Sequence, residues 1–499
     1  MRLAFSNKQK RRKKMNKFVE SCVEKSQEKL TENGAFSYNT TSNKLLDFFS
    51  VAGALRPRTE EDIIKKFELA YLANRDIALR MLFYTGDVRG GLGERRTFRV
   101  LLNWLGRRHP QDVIDNLENI PFYNRYDSLF SLIGTRAENA MWAFIRKTLN
   151  EDLIATKKRE SCSLLAKWMP SINTSSKKTR KLAERAWVRI GCKNRKAYRT
   201  LLSFLRSYID VVERRMSLGE WEKIQYEKVP AYAMKRYSEA FFNHDEERFE
   251  NYLEAVKNNK KEIKAGVLYP YDLVHQVFSR TNNEVTELQW KALPNYIEEG
   301  QNILVMADVS GSMTGRPMET SIGLATYFAQ HNTGDFHNCY MTFTDEPHFI
   351  KLEDSWPLEQ CVNYIRKTGI GYSTNLEAAF NYVLQTLLRR NVPQQDAPKA
   401  LVVVSDMEID PYFKYDDKLD FIETWRKEFN NAGYDFPKLV LWNVESRQDT
   451  YLTKANDVLL FSGQSASTFK NLCKCFNMTA WQAMIETLYG TDRYERVIV

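Results

Sequence analysis

Asn302-Ile-Leu-Val-Met-Ala-Asp308-Val-Ser310-Gly-Ser312-Met313 decides how this chain is read. Its apolar run has the length and composition of a strand buried on both faces, and it stops abruptly at Asp-x-Ser-x-Ser. One carboxylate and two hydroxyls then share a tight loop at the carboxyl end of a strand, where open α/β sheets bind their ligands. Every donor is oxygen and none is sulfur or imidazole. Such a set suits a hard divalent cation that keeps part of its water, Mg²⁺ foremost, with Mn²⁺ and Ca²⁺ also compatible.

Two later segments extend the set. Gly369-Ile-Gly-Tyr-Ser373-Thr374-Asn375 is a Gly-rich loop ahead of a helix, and Ala400-Leu-Val-Val-Val-Ser405-Asp406 is a second buried strand ending in Ser-Asp. The three-part pattern resembles the metal-ion-dependent adhesion site of von Willebrand factor A domains. The resemblance implies metal ligation by Ser310, Ser312 and Thr374, directly or through water, with Asp308 and Asp406 acting through water. The alternative reading of the same residues is capping of helices and turns.

Around these segments, strands and helices alternate. Strands are predicted at 303–307, 339–343, 349–352, 401–404, 439–443 and 458–462, and helices at 318–330, 358–366, 376–388, 419–429 and from 467. The short pair 339–343 and 349–352 reads as a hairpin at one sheet edge. This is a doubly wound α/β (Rossmann-like) domain spanning 300–490. The stretch 491–499 is a tail whose Val497-Ile498-Val499 is expected to pair as a strand with the preceding part. Upstream, residues 36–295 carry the three-four spacing of helices separated by short breaks such as His109-Pro110 and Val229-Pro230. Many moderate helices with short connections fit a HEAT-like repeat domain, possible as a closed ring; a compact irregular bundle is the alternative. Residues 1–35 read as a basic flexible arm.

Charge divides the chain in the same place. Residues 301–499 hold 18 Lys+Arg against 25 Asp+Glu, and residues 1–300 hold 55 against 38. The whole +10 net charge therefore comes from the first part, and an asymmetry of this kind points to a polyanionic partner. No apolar run is long enough for a bilayer, and Lys8 to Lys14 is not followed by the apolar stretch of a signal peptide. Seven scattered cysteines fit reduced thiols in a cytoplasmic compartment; a monomer is expected.

Within the basic part, Arg89-Gly-Gly-Leu-Gly-Glu-Arg95-Arg96 is a Gly-rich loop opening a helix. Its amides and arginines suit phosphate, and a helix–helix turn needing positive φ explains the glycines equally well. It lacks the Gly-Lys-Ser/Thr ending of a nucleotide-binding P-loop. Lys167-Trp168, Lys177-Lys178-Thr-Arg180 and Lys193-Asn-Arg195-Lys196-Ala-Tyr198-Arg199 interleave positive charge with aromatic rings. Such a mixture neutralises phosphates and stacks on unpaired bases. The alternative is a solvated basic face, with Trp168 in the core.

Arg-Gly-Gly-Leu-Gly-Glu-Arg-Arg (89–96), Tyr-Asn-Arg-Tyr-Asp-Ser-Leu (123–129), Leu-Ala-Lys-Trp-Met-Pro (165–170) and Trp-Glu-Lys-Ile-Gln-Tyr-Glu-Lys-Val-Pro (221–230), followed by the metal-type domain, resemble the DUF2828 family. That architecture is similar to TROVE proteins of the Ro autoantigen type, in which a ring of helical repeats closed by a von Willebrand A domain binds noncoding RNA. The resemblance implies a non-catalytic binder of small noncoding or misfolded RNA, with these basic residues as contacts: Arg89, Arg95, Arg96, Lys167, Lys177, Lys178, Arg180, Lys193, Arg195, Lys196 and Arg199. A second expectation is a protein partner whose Asp or Glu completes the metal's coordination. An enzyme is disfavoured, since no second carboxylate cluster, Gly-x-Ser-x-Gly elbow or His-Glu-x-x-His is present. Asp345-Glu346 and Glu408-x-Asp410 read as solvated loop charges.

Overall fold

A computed structural model describes residues 25–209, 211–281, 283–297, 302–368, 373–411, 421–465 and 467–499. Two short strands, β1 (Glu28–Leu30) and β2 (Phe36–Tyr38), form an antiparallel hairpin. Six more build the main sheet: β3 (Ile303–Ala307), β4 (Cys339–Thr342), β5 (Phe349–Lys351), β6 (Ala400–Ser405), β7 (Lys438–Asn443) and β8 (Leu459–Ser462). Their order is β5-β4-β3-β6-β7-β8, and all neighbours are parallel except the edge pair β4–β5. Central β3 and β6 are buried along their whole length, as Val/Ile/Leu strands covered on both faces must be. From β3 the chain runs outward through β4 and β5, then crosses back to start β6 on the other side. The order therefore reverses between β3 and β6, so the loops carrying Asp308 and Asp406 leave the sheet at its switch point.

Strand alternation feeds two cores. Leu304, Met306, Leu401 and Val403 point towards helices Leu376–Arg390 and Phe421–Asn431. Ile303, Val305, Val402 and Val404 belong to the larger core, which includes helix Arg316–His331 and runs without a break into the helical part. A third, smaller core lies within the helical part, around Met234, Phe241, Phe249 and Val285.

The α/β lobe touches both ends of the helical part. Helix Pro270–Phe278 packs on Arg316–His331, and Gly323 permits it: a Cβ there would lie 3.0 Å from the Pro270 carbonyl carbon. At the other end a Cβ on Gly53 would come 2.6 Å from the Cα of Gly463. Arg58 and Lys66 both pair with Asp449, at 2.5 and 2.9 Å.

Two expectations are corrected. Residues 25–35 are not part of a flexible arm: they form β1 and a docked turn, held by pairing with β2 and by side-chain hydrogen bonds described below, while residues 1–24 lie outside the described residues. The terminal Val-Ile-Val is not a strand. Asn116 supplies both partners of the Ile498 backbone, at 2.7 and 2.9 Å, and the Asn119 amide donates to the Arg496 carbonyl at 2.8 Å, so side chains replace a ladder. No helix among the described residues is long and apolar enough to cross a membrane, and the cysteines at 162, 192, 339, 361 and 475 are free thiols.

Candidate functional site

β3 and β6 run in register as far as Ala307 opposite Val404, so Asp308 and Ser405 emerge side by side. The Asp308 amide donates to the Val404 carbonyl at 3.1 Å. Its carboxylate is fully buried: one oxygen accepts from the Ser310 amide at 2.9 Å, the other from the Ser405 hydroxyl at 2.6 Å. The first bond folds the loop back on itself and brings the hydroxyls of Ser310 and Ser312 to 3.1 Å of each other. A 3₁₀ turn at Gly311–Met313 follows, anchored by buried Met313, and Gly315 at φ 91° launches helix Arg316–His331.

Asp406 is equally buried and accepts from the Glu408 amide at 3.1 Å. Thr374 is tied to the same post-β6 loop: its amide donates to the Asp410 carboxylate and its hydroxyl to the Glu408 carbonyl at 3.3 Å. The three segments thus converge on one end of the sheet. The Gly369–Tyr372 part of the Gly-rich loop lies outside the described residues. Burial, and then the neighbouring charge of Asp406, push the Asp308 carboxyl up to about 6; hydrogen bonds from Ser405 and Ser310 pull the other way. Two carboxylates that repel each other in a buried pocket, faced by two hydroxyls, fit a hard cation.

Sequence reasoning missed the residues that surround this set. Arg447, in the loop after β7, donates to the Asp406 carboxylate at 2.7 Å, to the Ser312 carbonyl at 3.3 Å and to the Glu32 carboxylate at 3.1 Å. Glu408 is not a solvated loop charge. It is buried and accepts from the Glu32 amide at 2.6 Å, Gln448 at 3.0 Å and Thr450 at 3.2 Å. Asp410 braces Thr374, and Asp345 accepts from Asn375 at 3.2 Å. The available signal was positional: the loop after β7 borders the switch point, and Arg447 is its one arginine.

The basic residues fall into groups. Lys177, Lys178 and Arg180 open helix Lys177–Arg189, while Arg195, Lys196 and Arg199 open helix Arg195–Tyr208. All are exposed, as is Lys193. Arg195 is paired with Glu184 at 2.9 Å; the others make no ion pair among the described residues. Lys167 and Arg199 share the lining of a cavity of about 700 Å³ with Arg206 and Arg214. Arg206 is committed to the carbonyls of Ala166 and Met169 and to Ser171, so it holds the cavity wall. Trp168 is half-buried, with the Arg125 guanidinium 4.0 Å above its ring.

The 87–96 loop is explained by packing. A Cβ on Gly91 would lie 2.1 Å from the Tyr84 carbonyl, one on Gly90 2.5 Å from Arg493, and one on Gly93 (φ 63°) 2.1 Å from the Tyr269 hydroxyl. Arg89 and Arg96 reach the carbonyls of Phe122 and Arg56 at 3.4 and 3.3 Å. Arg95 is solvent-accessible within a recess: the surrounding protein, then the charges of Arg125 and Arg99, lower its pKa.

The fold and site define a two-part protein, a basic helical body joined to a doubly wound lobe with an Asp-x-Ser-x-Ser loop at its switch point. Residues 31–125 and 192–302 match the family model of DUF2828, a domain of unknown function. Residues 302–488 match that of DUF7788, also a domain of unknown function, where the motifs had pointed to von Willebrand A. The chain is 27% identical over 483 residues to an uncharacterized protein of Acanthamoeba polyphaga mimivirus, covering 88% of this chain and 83% of that protein. Among solved structures, the crystal structure of the Deinococcus radiodurans RO (RSR) protein aligns with 90% of this chain and 100% of its own, at 12% identity and a TM-score of 0.43.

Proposed function

We propose that the protein is a non-catalytic RNA-binding protein whose helical body holds phosphates and whose α/β lobe holds a divalent cation. One observation carries the RNA reading. Helices Arg95–Arg108, Lys177–Arg189 and Arg195–Tyr208 each begin with two consecutive basic residues and have no acidic residue in the first turn. A helix N-terminus carries partial positive charge, so each such residue is unfavourable there by about 0.3–1 kcal/mol. Helices Glu60–Ala73, Arg75–Gly86 and Glu138–Lys157 follow the rule instead, with Glu60, Glu61 and Asp62, Asp76, and Glu138 in their first turns. Cations gathered at helix starts make sense when a polyanion comes to them. In this reading the helices stack as HEAT-like repeats and the α/β lobe closes them into a ring, and lobe contacts at both helical ends support that. Filter binding of a small structured RNA tests the proposal: affinity falls steeply between 50 and 200 mM salt, and no retention at low salt ends it.

The cation reading rests on the paired hydroxyls of Ser310 and Ser312 beside two buried aspartates. Ser310, Ser312 and Thr374 would ligate, with Asp308 and Asp406 orienting bound water. Mg²⁺ fits the donors best. A partner's acidic side chain at an open position is the second function this site supports.

Asp308 must be ionised to serve a cation, and this fixes a pH dependence. Its folded pKa of about 6 lies above the ordinary carboxylate value, so its ionisation costs stability above pH 6, and that cost disappears as pH falls towards 4. A divalent cation reverses the balance. Affinity for Mg²⁺ or Mn²⁺ is therefore expected to fall about tenfold per pH unit below 6. Without added metal the melting temperature should rise, on this group's account, over the same interval. Calorimetric titration and thermal melts at pH 7 and pH 5 read both; an affinity flat with pH contradicts the assignment of Asp308.

A further inference from the structure

Arg447 is the only guanidinium among the described residues seen bonded to the candidate cation loops, and three of its bonds run to different elements. Nη2 reaches the Asp406 carboxylate, Nη1 the Ser312 carbonyl, and Nε the Glu32 carboxylate. Glu32 sits at the tip of the β1–β2 hairpin, in Thr31-Glu32-Asn33-Gly34. That tip lies on the loop following β6. The Thr31 hydroxyl donates to the Ile409 carbonyl at 2.6 Å, the Glu32 backbone amide to the Glu408 carboxylate at 2.6 Å and the Asn33 side-chain amide to the Glu408 carbonyl at 2.7 Å. Lys29 adds a bond to Gln448, next to Arg447, at 2.7 Å.

A divalent cation beside Ser310 and Ser312 must draw on the same buried carboxylate that Arg447 holds. Guanidinium and metal cannot share Asp406 at short range without strong repulsion in a buried setting. The arginine has somewhere to go: Glu445 lies 3.9 Å from its Nη1, and both side chains are about one quarter exposed, at 24% and 26%. When Arg447 turns to Glu445, the Glu32 carboxylate loses its partner, one of four bonds that hold the hairpin tip against these loops.

We propose that Arg447 is an internal competitor of the divalent cation and that cation entry loosens the β1–β2 hairpin from the mouth of the site. This inference rests on the cation reading of the site. It gives the lobe a two-position latch. In one position the arginine neutralises Asp406 and the hairpin tip covers the loops. In the other the metal neutralises Asp406, and the surface under Thr31–Gly34 becomes available to an external acidic ligand.

The test measures Mg²⁺ and Mn²⁺ affinity by calorimetry on the full chain, native against Arg447→Gln and Glu32→Gln, and amide hydrogen exchange of residues 31–35 with and without saturating Mg²⁺. Arg447→Gln is expected to bind the cation at least tenfold tighter than native protein. Glu32→Gln, which weakens only the far end of the latch, should gain two- to threefold. In native protein Mg²⁺ should speed exchange of the Glu32 amide, and in Arg447→Gln that amide should already exchange fast. Equal cation affinities with unchanged exchange overturn the latch and leave the cation site standing. No cation binding by native protein or by Arg447→Gln overturns both. If Arg447→Gln does not fold, the exchange of the native protein decides: no response of residues 31–35 to bound Mg²⁺ sinks the latch.

Discussion

Replacing Arg493 with alanine is expected to destabilise the fold by about 3–5 kcal/mol, more than replacing its partner Asp87. The Asp87 carboxylate is wholly buried. Arg493 grips it with two nitrogens, Nε on one oxygen and Nη2 on the other at 2.5 Å; the Tyr494 hydroxyl adds a bond at 3.0 Å and the Arg89 amide one at 2.9 Å. Removing the arginine strands a charge that water cannot reach. Removing the aspartate instead frees a guanidinium that is already 27% exposed and can turn to solvent, so the cost is smaller, about 1–3 kcal/mol. The pair joins residues 406 positions apart and fastens the C-terminal turn Asp492–Tyr494 to the loop preceding helix Arg95–Arg108. Urea midpoints of Asp87→Ala and Arg493→Ala read the difference. Equal small losses would mean that the tail contributes little to holding the two parts together.

That tie explains why one motif was only half legible in the sequence. Gly90, Gly91 and Gly93 stand out as a Gly-rich loop, and sequence alone leaves phosphate binding and tight packing level. For Gly90 and Gly93 the deciding atoms come from Arg493 and Tyr269, more than 170 residues away, and no local pattern carries that information. The α/β lobe was legible because its signals are local. Strands buried on both faces read as apolar runs, and β3 begins and ends where its sequence predicts. The placement of the loops that carry Asp308, Ser310, Ser312, Thr374 and Asp406 was legible for the same reason: each residue follows a strand or precedes a helix. Arg447, Glu408 and the hairpin around Glu32 were not. Their roles exist only after β6, β7 and the N-terminal hairpin meet, and the three-residue strands of that hairpin are too short to show a period.

The largest functional effect is expected from reversing charge at one helix end. Lys177, Lys178 and Arg180 are exposed, make no ion pair among the described residues, and crowd the positive end of a thirteen-residue helix. Changing all three to glutamate removes nothing from the core and places acidic groups where the helix dipole favours them, so the melting temperature should hold or rise slightly. RNA binding should respond in the opposite direction. Each phosphate contact contributes about 0.9 to the slope of log affinity against log salt, so losing three lowers the slope by close to 3 and, at about 0.1 M salt, the affinity by about 10²–10³. A control triple with the same change in net charge, Lys351→Glu, Lys427→Glu and Lys474→Glu, puts its charges on exposed positions of the α/β lobe. If RNA is held by the helical face, the first triple binds far more weakly than the control and its salt slope is shallower. If both weaken equally, the interaction follows total charge, and the clustering of bases at helix starts has some other cause.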